Sequence, residues 1–161
     1  MKTAILMGSK NDYEVVKRAE AILAEFGIEY ETRIISAHRT PSAAEAFAKN
    51  AEAEGIEVII AAAGKAAHLA GVIAAQTPLP IIGLPIKSST LDGLDSLLSI
   101  VQMPKGVPVA TVAIDGAENA ALLAVQILSL KYPELREAMK KYKAKMETEI
   151  TKADKEFQEN K

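Results

Sequence analysis

A chain of 161 residues is the length of one folded unit, and its 19 Lys and Arg against 21 Asp and Glu leave a net charge of -2. That balance gives no electrostatic hold on nucleic acid or an anionic membrane. The absence of cysteine excludes disulfides, thiolate metal sites and thiol nucleophiles. No apolar stretch approaches the ~18 residues of a membrane span. A soluble, unprocessed protein of a reducing cytoplasm is the expectation.

In chain order, "TAILM" (3–7) is a short apolar run that stops at Gly8, as a buried parallel strand does. From Val15 the apolar residues Val16, Ala19, Ile22, Leu23 and Phe26 follow helical spacing, and Gly27 stands where a left-handed cap ends a helix. "IEYETRII" (28–35) alternates in polarity and predicts a strand with a wetter face, near a sheet edge. Thr40 and Pro41 read as an N-cap and first helical residue, opening an alanine-rich helix that runs to Gly55.

Further apolar runs at 58–64, 80–86 and 107–114 are each followed by a small-residue loop and a helical pattern. Such alternation predicts one α/β domain over 1–161, a parallel sheet with helices on both faces over 1–130. After Pro133 the chain is highly charged but keeps Leu135, Met139, Tyr142, Met146, Ile150, Ala153 and Phe157 at spacings of three and four. This narrow stripe predicts a C-terminal helix over 133–161 whose apolar side needs another surface.

In parallel sheets, sites form beyond the carboxyl ends of the strands, so the loops there carry the chemistry. "GSKND" offers backbone amides, the Ser9 hydroxyl and a helix dipole to an anion, or else Gly8 turns the chain while Asp12 caps the helix. It is neither a P-loop nor a dinucleotide fingerprint, which argues against ATP and NAD. In "SAHRTP", Arg39 presents a planar fork for phosphate or carboxylate beside His38, which titrates near neutral pH. "AAAGKAAHLAG" (61–71) has little side chain, leaving room for a ligand close to the main chain at Gly64. His68 there is read as a cap or gap-filler ahead of a catalytic group, and with so few partners a metal site is not expected. The three loops together suit proton transfer on a small anion without a cofactor.

"MGSKND", "FGIEYETRIISAHRTP", "AAHLAGVIAAQTPLPIIGLPI", "LDGLDSLLSIVQMPKGVPVATVAI" and "NAALLAVQIL" resemble, in order and without large gaps, the N5-carboxyaminoimidazole ribonucleotide mutase (PurE) family of purine biosynthesis. The forms "SAHRTP" and "AAHL" are similar to the bacterial mutases, ahead of the related carboxylase that uses free carbon dioxide. The resemblance implies a three-layer flavodoxin-like fold, a homo-octamer with subunit contacts through the C-terminal helix, and no metal, ATP or redox cofactor. It implies His38 as general acid and base, Arg39 on the ribose phosphate, Ser9 and Asp12 on the substrate, and Ser36, Asn11, Gly64, Lys65 and His68 in the same pocket.

The sequence departs from the family pattern at Asn11 and at Ala62, Lys65 and Ala70. An amide at Asn11 still donates to a phosphate. If Lys65 stands where a glycine uses positive φ, it costs roughly 1 kcal/mol. Its side chain then either intrudes on the substrate's space or pairs with the substrate's carboxylate. Alternatives to the mutase are an engineered or redesigned scaffold of this family with impaired activity, used for its assembly, the related carboxylase, and a carbohydrate or nucleotide binding module.

Overall fold

The computed structural model describes residues 1–161. Its strands are β1 (Lys2–Met7), β2 (Glu29–Ile34), β3 (Ile56–Gly64), β4 (Ile81–Ile86) and β5 (Ala110–Thr111). Its helices are α1 (Tyr13–Glu25), α2 (Pro41–Asn50), α3 (Leu69–Ala74), α4 (Leu94–Val101), α5 (Ala117–Leu128) and α6 (Pro133–Glu159). The five strands form one wholly parallel sheet in the order β2-β1-β3-β4-β5.

Alternation along the central strands divides the core in two. Ile5 and Met7 of β1 and Val58, Ile60 and Ala62 of β3 face α1, α5 and the start of α6, while Ala4, Leu6, Ile59, Ala61 and Ala63 face α2, α3 and α4. Helices therefore cover both faces, in the three layers expected. β1 and β3, flanked by strands, are apolar on both faces; β2, at the edge, keeps Glu29 and Tyr30 exposed.

Local signals set most element ends. Gly27 lies at φ 66, with its N–H bonded to Ala24 O and the next amide, Ile28, to Leu23 O, closing α1 with the double bond of a Schellman cap. Gly55 at φ 78 repeats the device, but α2 itself stops at Asn50 rather than running to Gly55. The final strand is also shorter than the apolar run 107–114. Only Ala110 and Thr111 pair with β4, because Pro108 has no N–H to donate and Asp115, at φ 56, turns the chain out of the sheet.

The stripe of α6 is split. Leu135 and Met139 are buried in the core, and Tyr142 packs on Phe26 with ring centroids 5.6 Å apart. Beyond them Met146, Ile150 and Phe157 are exposed. At the other end of the helix, Glu57 accepts hydrogen bonds from Lys131 Nζ (2.7 Å) and Tyr132 Oη (2.8 Å), anchoring its entry to β3. No helix is long and apolar enough to cross a membrane.

Candidate active site

The sheet order reverses between β1 and β3: β1 leads to α1 on one face, and β3 leads to α3 on the other. The crevice left where successive connections diverge is the expected ligand site of a parallel sheet. Here it is a cavity of about 550 Å³, walled by the loops after β1, β2, β3 and β4.

After β1, the Gly8 N–H bonds to Ala62 O at 3.0 Å, holding the loop against β3. Ser9 Oγ accepts the Asn11 N–H at 3.2 Å, and the Asp12 carboxylate accepts the Ser9 N–H at 3.0 Å. Asp12 stands at the N-cap of α1 but makes no side-chain bond to that helix. The reading of Asp12 as its cap is thus replaced by a reciprocal box with Ser9 one turn earlier. Asp12 is only 8% exposed. Burial pushes its carboxyl above the ordinary carboxylate range, opposed by the Ser9 N–H and the charge of Arg39.

After β2, Thr40 turns back on its own loop. Its hydroxyl accepts the Ser36 N–H at 3.0 Å and donates to Ser36 O at 2.9 Å, so it makes no cap bond to α2. The expected Thr40 cap is therefore a loop staple. Arg39 is held by Nη2 to Gly8 O at 2.9 Å and by Nε to Ser36 Oγ at 3.3 Å, which ties the first two loops together at the cavity wall.

After β3, Gly64 is pressed against β4; a Cβ there would lie 3.2 Å from Ile86 O. Lys65 follows at φ 57, a left-handed conformation that costs a lysine roughly 1–2 kcal/mol. His68 occupies the N-cap position of α3 without a cap bond. Instead its Nδ1 lies 2.9 Å from Nε2 of His38, with the rings edge to face. The cap or gap-filler reading of His68 gives way to an imidazole pair in which one nitrogen donates and the other accepts.

Ser9, Asn11, Asp12, Ser36, His38, Arg39, Gly64, Lys65 and His68 thus all line one cavity. Of the other departures, Ala62 is buried in β3 and Ala70 is buried on α3, both outside it. Sequence reasoning missed the fourth wall, Ile86 to Ser89 after β4. Its signal was available: a polar "KSST" directly follows an apolar strand, as the other site loops do. Asp115 Oδ1 accepts the Lys87 N–H at 2.8 Å and positions this wall from the far side.

The arrangement offers a phosphate or carboxylate fork at Arg39, hydroxyls at Ser9 and Ser36, and a proton relay of two imidazoles across the cavity. Comparison with known proteins agrees with that chemistry. The chain is 61% identical over 145 residues (90% of this chain, 83% of the relative) to the N5-carboxyaminoimidazole ribonucleotide mutase of Pyrococcus abyssi. It is 60% identical over 149 residues (92% and 94%) to the mutase of Saccharolobus solfataricus. It superposes on the crystal structure of Treponema denticola PurE with a TM-score of 0.88 at 33% identity, covering 96% of this chain and 97% of that one. The AIR carboxylase family profile matches residues 2–149, which include every strand of the sheet and every wall of the cavity, and the chain belongs to that family.

Proposed function

We propose that this protein is an N5-carboxyaminoimidazole ribonucleotide mutase, an isomerase of purine biosynthesis that moves a carboxylate from the exocyclic nitrogen to C4 of the aminoimidazole ring. The observation that carries the reading is the His38–His68 pair, 2.9 Å apart, in one cavity with an Arg39 held in place by Gly8 O. The relatives at about 60% identity bear the same name.

In this reading Arg39, Ser9 and Ser36 hold the ribose phosphate, assisted by Asn11, and Asp12 accepts from a substrate hydroxyl. His38 delivers a proton to the exocyclic nitrogen as its bond to the carboxyl carbon breaks, giving the amine and carbon dioxide. The amine-activated ring carbon then attacks the carbon dioxide, and the proton on that carbon passes to His38. Atoms balance without ATP, metal or redox partner: one C–N bond is exchanged for one C–C bond and one proton moves from carbon to nitrogen. His68 fixes the ring and tautomer of His38. Gly64 and the small residues beside it leave room for the imidazole close to the main chain.

The chain is further read as a cytoplasmic homo-oligomer, an octamer, in which residues 1–130 form the catalytic core of a single domain and the helix over 133–161 makes subunit contacts. The subunit contact through this helix is supported by the exposed apolar row Met146, Ile150 and Phe157. A scaffold without activity is disfavoured, because a chain kept only for assembly has no need of a wired imidazole pair.

The test is conversion of N5-carboxyaminoimidazole ribonucleotide to its C4-carboxylated isomer in the absence of ATP. Turnover is expected. If the protein consumes only the uncarboxylated nucleotide with free carbon dioxide, it is a carboxylase instead.

A further inference from the structure

We propose that Lys65 binds the carboxylate that is moved, so that the loop after β3 carries this chain's recognition of the migrating group; the proposal rests on the mutase reading above. Three observations converge on it.

The first is the pairing of charges. Three fixed cations line the cavity: Arg39, Lys65 and Lys87. Arg39 is engaged by Gly8 O and Ser36 Oγ, and Lys87 by Asp92 at 3.3 Å. The Lys65 ammonium has neither a hydrogen bond nor an ion pair. The only cavity carboxylate, Asp12, is turned onto the Ser9 amide. A substrate with two anionic groups, a phosphate and a carboxylate, therefore meets one cation already oriented by the protein and one left without a partner.

The second is the backbone. Lys65 holds φ 57, where a glycine is unstrained. Of the four non-glycine residues at positive φ it is the one that lines the cavity, where strain can accompany a function.

The third is position. The Lys65 carbonyl accepts the Ala67 N–H at 2.8 Å and the Ala66 carbonyl accepts the His68 N–H at 2.9 Å, so two tight turns join Lys65 to the imidazole pair. The carbon that receives the carboxylate is the one whose proton His38 removes. The carboxylate therefore lies beside the imidazole pair, to which the loop of Lys65 contributes His68.

The experiment compares two ligands in four proteins. KM for the N5-carboxylated nucleotide and the dissociation constant for the same nucleotide lacking its carboxylate are measured for the wild type, Lys65→Arg, Lys65→Met and Lys65→Gly. Loss of one charge-assisted contact is expected to raise KM about tenfold in the Met and Gly proteins. Affinity for the uncarboxylated nucleotide should stay within about twofold, and Lys65→Arg should restore most of the loss. Equal changes for both ligands, no change for either, or faster turnover by Lys65→Gly at unchanged KM would each overturn the assignment. Thermal melts of each variant identify any that misfold, and Lys65→Gly supplies the loss of charge if the Met protein does. A wild type that fails to turn over the carboxylated nucleotide overturns the mutase reading and this one together; turnover with equal shifts for both ligands overturns this one alone.

Discussion

The loops at the carboxyl ends of β1–β4 and the distal half of α6 both lie on the surface, yet they meet solvent in opposite ways. In the loops, polar groups are bonded to one another across elements distant in sequence, as Arg39 is to Gly8, and the backbone is strained at Lys65. In α6 the backbone is an unbroken helix through Glu159, with solvent-exposed ion pairs such as Lys140–Glu137 and Lys152–Glu156 along it. What is unspent there is apolar: Ile150 is 73% exposed and Phe157 63%. The difference teaches that polar wiring between distant loops builds a site for a small ligand, whereas an ordinary helix with an uncovered stripe suits a protein contact.

The comparison breaks most sharply at His38. His38→Ala should lower kcat by about 10³-fold, the scale of a lost general acid and base, with melting temperature and particle mass unchanged. Retained turnover would remove His38 from the chemistry. Arg39→Ala should instead raise KM by about 10–100-fold with a smaller change in kcat, because a charge-assisted phosphate contact supports substrate and transition state alike. The same protein tests the loop wiring, since losing the bond to Gly8 O frees the first two loops from each other.

The other side of the comparison is tested by replacing Met146, Ile150 and Phe157 with serine. Particle mass by light scattering should fall, while the fold of the core by circular dichroism persists, because none of the three is buried in the chain. An unchanged mass would show that the stripe makes no subunit contact. A smaller effect is expected at Lys65. Lys65→Gly relieves the left-handed strain but adds freedom to the unfolded chain, for a net gain on the order of 0.5 kcal/mol, or roughly 1–2 °C in melting temperature. A lower melting temperature would mean that the lysine is held there without strain.

The smallest effect concerns Asp12. Its folded-state pKa is raised, first by burial, with the Ser9 N–H and Arg39 opposing. A carboxyl raised on folding binds its proton more tightly in the native state, so its favourable contribution is complete below the unfolded value and is lost as pH rises through the folded one. Asp12→Asn keeps an acceptor for the Ser9 amide but cannot titrate. Denaturant melts across the acid to neutral range should therefore find wild type gaining on Asp12→Asn as pH falls; a difference that widens toward neutral pH would reverse the sign assigned here.

The order of strands and helices was legible in the sequence because apolar period is a local property: "TAILM" and "VIIAAAG" need no partner to read as strands, and Gly27 and Gly55 mark chain reversals through their own freedom at positive φ. The wet edge of β2 and the apolar spacing of α6 were equally plain, as were the three loops that bear Ser9, His38 and Lys65. Tertiary structure alone decided what those residues touch. Asp12 and Thr40 are exceptions, since each bonds an amide three or four residues earlier in its own loop rather than capping the helix that follows. His68 meets His38, 30 positions earlier, only because β1, inserted between β2 and β3, sets their loops on either side of one crevice. The division of α6 into a buried start and a bare end depends on where α1 and α5 run out of surface to cover it. Periodicity tells which face of an element is apolar; only the packed neighbours determine how much of that face is used.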